Sequence, residues 1–358
     1  MSINIKQPKI LVTGATGKTG SAVITQLRQQ DLPVKAIVRS HDERSKRLDR
    51  LGVETVVADL FDPDQLLVAM QGTTRAYYCP PLHPYALQSA TAFAVAAQAA
   101  KLEAIVGLSQ WLASPDHPSL HTRQIWLIEQ MFSMLPNIAY VNVNPGYFAD
   151  NYLRLIDFAT LLGIWPVLTG HSRNAPPSNE DIARIVVVAL TDPDRHAGKR
   201  YRPTGPALLS AYDMAATIQK VLGSRVFPVN LPMWMFVRAA RLQGVSPFVL
   251  SSFRYYVEDH KRGAFEFGAP TTDVYELTGR PAEDFETIAR RYMALPFARQ
   301  TLANRLRAFV NFNLVPFTPG YDLDRFERKQ FHPVPPLPQF AMENERWQTE
   351  HGSPSLPV

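Results

Sequence analysis

The sequence predicts an α/β protein: a doubly wound parallel sheet with a smaller C-terminal lobe and a proline-rich tail. Three observations carry this. Short apolar runs alternate with helix-like stretches over residues 1–150, the pattern of parallel strands joined by crossover helices. A glycine-rich turn, Gly14-Ala15-Thr16-Gly17-Lys18-Thr19-Gly20, follows the first apolar run and opens the first helix. Beyond Gly146 the alternation gives way to consecutive helix-like segments.

Residues 9–12 read as a buried strand and 21–27 as the first turns of a helix. Further strands are expected at 34–38, 55–58, 75–78, 104–107 and 139–143, with an alanine-rich helix at 86–101. Each strand ends on a polar or turn-forming residue: Gly14, Arg39, Asp59, Cys79-Pro80, Ser109 and Pro145-Gly146. In open α/β sheets the ligand crevice lies outside those ends, so this is also a candidate site list. Residues 148–162 and 181–190 read as helices and 199–203 as a late strand returning to the sheet. Helices at 210–222 and 234–242 stop at Gly223 and just before Gly244. Residues 299–309 form an amphipathic basic helix, and 332–338 a polyproline-like stretch. The expected units are a nucleotide-binding domain at 1–150, a substrate lobe at 151–295 and an extension at 296–358 that either wraps the body or meets a partner.

The glycine turn sits in the strand–turn–helix context of the Rossmann dinucleotide motif. Glycines let the backbone turn tightly and approach a pyrophosphate, whose charge the helix N-terminus favours. Gly14, Thr16, Gly17, Lys18, Thr19 and Gly20 are therefore candidate cofactor residues. Arg39 and Ser40 end the second strand, nineteen residues beyond Gly20, where an acid would bind the ribose hydroxyl of NAD. An arginine there suits the 2′-phosphate, so NADP(H) is expected over NAD(H). Asp59 is placed to accept from the adenine amino group, with Leu60 beside the ring; the alternative is a turn aspartate. Asp62, before Pro63, reads as a helix cap.

The chain has 358 residues, 46% hydrophobic and 19% charged, which describes a folded globular protein. One cysteine excludes an internal disulfide and suggests a reducing compartment, hence the cytoplasm. The formal charge of +5 is scattered, without a nucleic-acid recognition motif, so no nucleic-acid partner is expected. The apolar run at 158–165 is too short to cross a bilayer, and no membrane partner is expected either. No metal site is expected, and self-association stays open.

With the glycine loop, Arg39, Asp59-Leu60, the stretch Asn144-Pro145-Gly146-Tyr147-Phe148-Ala149-Asp150-Asn151 and Leu277-Thr278-Gly279-Arg280, the chain resembles the NmrA-like family of atypical short-chain dehydrogenases/reductases. The likeness runs from about Lys9 to about Met293; the residues after Leu295 lie outside it. It implies a Rossmann domain with a small lobe, and either NADPH-dependent reduction of quinones, azo compounds or apolar carbonyls, or a non-catalytic redox-sensing regulator acting on a protein partner. Short-chain dehydrogenases generally use a serine after the fifth strand, then a tyrosine and, four residues on, a lysine. Here Ser109 is present, but His121 stands at the tyrosine position and Ile125 at the lysine position. Ser109 is a candidate substrate contact or a strand-end cap, and His121 a candidate general acid or a solvent-exposed residue at a helix start. Cys79, Pro80, Pro145 and Gly146 complete the cofactor candidates. Trp165, residues 233–236 and Phe248 are candidates for an apolar substrate pocket.

Overall fold

A computed structural model describes residues 7–352. Seven strands form one parallel sheet in the order β3-β2-β1-β4-β5-β6-β9. Its members are β1 (Ile10–Val12), β2 (Val34–Val38), β3 (Glu54–Val57), β4 (Arg75–Tyr78), β5 (Ala104–Leu108), β6 (Ala139–Val143) and, late in the chain, β9 (Arg200–Tyr201). The strand order turns back at β1, which lies between β2 and β4. This switch point is where an open α/β sheet leaves a crevice.

Crossover helices cover both faces. They are α1 (Lys18–Gln29), α2 (Glu43–Asp49), α3 (Pro63–Met70), α4 (Ala86–Ala99), α5 (Leu120–Ser133) and, after the short α6 (Ala149–Leu153), α7 (Asn179–Thr191). The alanines of α4 let it lie close to the sheet and share a core with Phe93, Phe132 and Tyr78. On the opposite face α1 and α7 pack side by side, with Ile24, Leu27, Ile182 and Val186 buried against β1 and β6. Ile125 is buried in the α4–α5 core.

The lobe has its own apolar cluster around Leu153, Ile156, Trp165, Met214, Ile218 and Ile288. It is built on β7 (Ile164–Val167), β8 (Arg173–Asn174), β10 (Leu209–Ser210), β11 (Phe227–Asn230) and a set of helices. After α8 (Pro193–His196) these are α9 (Ala211–Leu222), α10 (Met233–Leu242), α11 (Pro247–Lys261), α12 (Asp273–Thr278) and α13 (Phe285–Met293). The helix expected at 148–162 is broken: α6 ends at Leu153, and Phe158–Leu162 is a π-type turn closed by Gly163 in the left-handed region.

The extension supplies α14 (Leu302–Leu314), α15 (Leu323–Gln330) and α16 (Glu345–Gly352). It wraps the body. Trp347 donates its indole N–H to Trp111 O (3.0 Å), and Arg200 pairs with Glu350 (2.9 Å). His351 stacks on Trp347 with ring centroids 4.0 Å apart.

The sheet and α1 meet at a point that only glycine satisfies. A Cβ on Gly20 would lie 2.3 Å from Gly14 O, well inside contact distance with fixed backbone. Gly20→Ala should therefore lower stability by about 3 kcal/mol, read as a reduced denaturant midpoint. An unchanged midpoint would show that α1 can slide away from β1.

Candidate active site

At the exit of β1, Thr13 Oγ1 accepts the Cys79 N–H (2.8 Å), tying this strand's end to that of β4. Gly14 then turns at φ +61°, and the Gly17 N–H donates to Gly14 O (2.9 Å). Helix α1 starts at Gly17 with no side-chain cap and no acid in its first turn. Four other crossover helices, α2, α3, α5 and α7, are capped by Asp42, Asp62, Ser119 and Ser178, whereas α4, like α1, is not. The first amides of α1 are thus left for an external acceptor, and the helix dipole favours an anion there. Thr16 and Gly17 are exposed at this turn.

Two side chains from the glycine loop are used elsewhere. Thr19 donates to Asn179 Oδ1 (2.8 Å), locking α1 to α7. The Lys18 ammonium lies 3.9 Å from Asp150 Oδ1 and 5.0 Å from the centre of the Tyr292 ring. Thr19 thus ties two helices of the body together and Lys18 reaches toward the lobe, which leaves their backbone amides for a ligand. The sequence offered no sign of this, because Asn179, Asp150 and Tyr292 are remote in the chain.

Because the strands are parallel, the remaining candidates lie along the same edge. Arg39 and Ser40 leave β2 exposed, and Arg39 has no ion-pair or hydrogen-bond partner among the described residues. Asp59 is exposed after β3 and accepts the Phe61 N–H (3.0 Å) as a turn aspartate, which leaves its second oxygen free. Asp62 is the N-cap of α3. Leu60 is partly buried against the α3–α4 core. Cys79 and Pro80 are half-buried at the end of β4; burial pushes the Cys79 thiol up to about 11, so it stays protonated and unreactive. Pro145 and Gly146 reach this edge but are buried, with the Gly146 N–H donating to Pro203 O (3.1 Å). Their part is to carry Tyr147 and Asn151 into position rather than to present a surface.

Both catalytic candidates lie in packed surroundings. Ser109 is almost fully buried and donates its hydroxyl hydrogen to Glu129 on α5. Asn144 Nδ2 donates to Glu129 Oε1 (2.7 Å) and to Ser109 Oγ (3.1 Å), and Arg200 donates to Glu129 Oε2 (3.0 Å). Ser109 therefore ends its strand in a buried polar network instead of offering a free donor. Glu129 is the residue that sequence reasoning missed; its only signal was a lone acid within an apolar helix. His121 is half-buried against Phe248, not solvent-exposed, and burial pushes its imidazole down to about 4. Burial thus favours the neutral ring in this setting. Near Ser109, both side-chain amide atoms of Gln110 and the Asn144 Oδ1 are buried without partners. Orphaned amides at the ends of β5 and β6 suit a ligand with both donors and acceptors, such as a carboxamide.

Beyond the end of β6 opens an apolar chamber of about 430 Å³. Tyr147, Tyr152, Trp165, Thr169, Met235 and Phe236 line it from the body, and Phe312, Val315 and Pro316 from the extension. Of the sequence candidates, Met233 packs in a separate cluster, Trp234 is exposed and Phe248 lies against His121. Trp165 Nε1 and Thr169 Oγ1 are buried without hydrogen-bond partners. Burying such groups unpaired costs about 1–3 kcal/mol each, a cost that a ligand acceptor would remove. Behind the wall, Ser172 donates to Thr169 O (2.7 Å), so His260 donates from Nδ1 to Ser172 Oγ (2.7 Å) and accepts the Tyr152 hydroxyl at Nε2 (2.6 Å). Burial pushes His260 down to about 4, which keeps it neutral in this chain of bonds.

The family described as NAD(P)H-binding matches residues 14–193. An NAD(P)H azoreductase from Xenophilus azovorans is 30% identical over 80% of this chain and 98% of its own length. This chain belongs to the NAD(P)H-binding family. A (4-alkanoyl-5-oxo-2,5-dihydrofuran-3-yl)methyl phosphate reductase from Streptomyces griseus is also 30% identical, over 77% of this chain and 95% of its own. The fold is shared with an NADPH-dependent quinone oxidoreductase of Escherichia coli solved with NADPH (TM-score 0.67, 22% identity, 79% of this chain and 99% of that one). It is shared equally with a Citrobacter triphenylmethane reductase solved with NADP(H) (TM-score 0.67, 20% identity, 79% and 99%). These relatives are reductases by name. The uncapped glycine turn and the orphaned Gln110 and Asn144 amides fit a bound nicotinamide dinucleotide.

Two buried histidines make stability pH-dependent. His260 and His351 are 1% and 4% exposed, and burial pushes them down to about 4 and about 3. Their folded values lie below the ordinary 6.5, so their contribution is fully present above about pH 6.5 and is lost as the pH falls toward 4. The unfolding free energy should decline over that window by about 1.4 kcal/mol per pH unit for each group. Denaturant titrations at a series of pH values measure this, and a flat profile between pH 6.5 and 4 would contradict it.

Proposed function

We propose that the protein is an NADPH-dependent reductase that passes a hydride to a small apolar acceptor, a quinone, azo compound or carbonyl, held in the lobe's chamber. One observation carries the reading: the chamber begins at Tyr147 and Asn151, directly beyond the strand end that borders the dinucleotide crevice. A volume of about 430 Å³ suits a compact aromatic molecule.

Each part has a residue to perform it. The amides opening α1 hold the pyrophosphate, and the unpaired Arg39 guanidinium meets the 2′-phosphate. Asp59 keeps one oxygen for the adenine amino group. The reduced nicotinamide supplies the hydride when bound. Trp165 and Thr169 anchor the acceptor atom of the substrate, which fixes its orientation and excludes water. Ile125 cannot replace the missing lysine, and Ser109 and His121 do not supply the proton. Tyr147 fits that task. It lines the chamber, its hydroxyl has no partner among the described residues, and burial raises its phenol well above the usual value. Its place in the chamber wall lets the free hydroxyl donate a hydrogen bond, and then its proton, to the oxygen or nitrogen that gains the electron pair.

Purified protein should oxidise NADPH steadily in the presence of small quinones or azo dyes. NADPH binding without turnover over a broad acceptor panel would favour the redox-sensing alternative instead. Tyr147→Phe should lower kcat by ~10² while leaving the NADPH Kd unchanged. Equal kcat values would remove the phenol from the reaction. Arg39→Asp should weaken NADPH binding by roughly 30-fold or more, with NADH little affected, since the exchange trades a charge-assisted pair for repulsion. Calorimetry with both coenzymes decides this, and equal losses would show that Arg39 does not select the phosphate.

A further inference from the structure

The extension carries an apolar face that no other described residue covers. On α14, Leu302, Leu306, Phe309, Val310 and Leu314 fall at the i, i+4, i+7, i+8 and i+12 spacing of one helical side. All are exposed, Leu302 at 87%, Leu306 at 66% and Phe309 at 59%, and Phe317 just beyond the helix at 84%. Ala308 is the one buried residue of this helix. A set of large apolar side chains held in water on one element marks a contact surface.

Charge indicates what that surface meets. Residues 296–321 include Arg299, Arg305 and Arg307 and no aspartate or glutamate. The hydrogen bonds of these arginines go to uncharged partners, Ala294 O, Gln300 Oε1 and Phe297 O. Next to the segment, Arg238 donates to Pro316 O (2.9 Å) and lies over the ring of Trp234, itself 53% exposed. Exposed leucine and phenylalanine flanked by arginine, with a tryptophan alongside, is the composition of a helix lying in a bilayer interface. A symmetric contact with a second copy would bring arginine against arginine without an acid in the segment to compensate. No helix among the described residues is long and apolar enough to cross a membrane, so the contact is in the plane of the surface.

We propose that the 302–317 segment seats the protein on an anionic lipid surface. This reverses the expectation from sequence that no membrane is involved. The same segment provides Phe312, Val315 and Pro316 to the chamber wall. The face that touches lipid therefore adjoins the cavity, and an apolar acceptor dissolved in the bilayer would enter beside it.

The test is sedimentation of the full-length protein with vesicles of phosphatidylcholine alone and of phosphatidylcholine mixed with phosphatidylglycerol, without cofactor, so that the outcome does not depend on turnover. The expected result is binding to the anionic vesicles at least roughly tenfold tighter than to the neutral ones and weakened by salt. Leu306→Asp combined with Phe309→Asp should abolish it while leaving the melting temperature unchanged, because both side chains are exposed. Absence of binding to anionic vesicles, or equal binding by the double variant, would overturn the proposal. So would a wild-type dimer that becomes monomeric in the variant, since the face would then be a subunit contact.

Discussion

The contact between the first turn of α1 and the carbonyl of Gly14 governs the rest of the site. With hydrogen as the side chain at position 20, the helix axis can drop against the end of β1. Its uncapped amides then emerge at the switch point of the sheet and not a bond length or two above it. The left-handed turn at Gly14 serves the same end by sending the chain up beside Cys79. Thr13 fixes the neighbouring strand through its hydroxyl. The cradle is thus set by backbone packing, and the side chains are released, Thr19 to fasten α1 to α7 and Lys18 to reach the lobe.

Polar groups are handled differently at the two ends of the crevice. Around Ser109 they are satisfied almost completely. Glu129 receives Ser109, Asn144 and Arg200, so that a buried carboxylate is held by donors on β5, β6 and β9. Within the chamber two donors are left without partners in apolar surroundings. A folded protein tolerates such groups where a ligand completes them, and the contrast separates the part of the site that is structural from the part that is receptive.

Much of the nucleotide half was legible because its signals are local. The glycine turn, the strand ends and the Asp62 cap each depend on neighbours within a few residues. The helix expected at 299–309 is present as α14, shifted toward the C-terminus. What escaped depends on tertiary contact. Lys18 and Thr19 read as cofactor ligands because Asp150 and Asn179 cannot be foreseen beside them. His121 read as exposed because Phe248 lies 127 residues away in sequence, yet packs against its ring. The long helix α11 passed unnoticed, since its apolar residues are mixed with serine, tyrosine and charge and show no clean period. Glu129 passed unnoticed because its partner Arg200 comes from β9, 71 residues on.

The chamber takes Tyr147 from the sheet's exit and Phe312, Val315 and Pro316 from near the other end of the chain. On a ribosome these arrive far apart in time. The wall that would shelter a reactant therefore closes only once residues 312–316 have met residues 147–169.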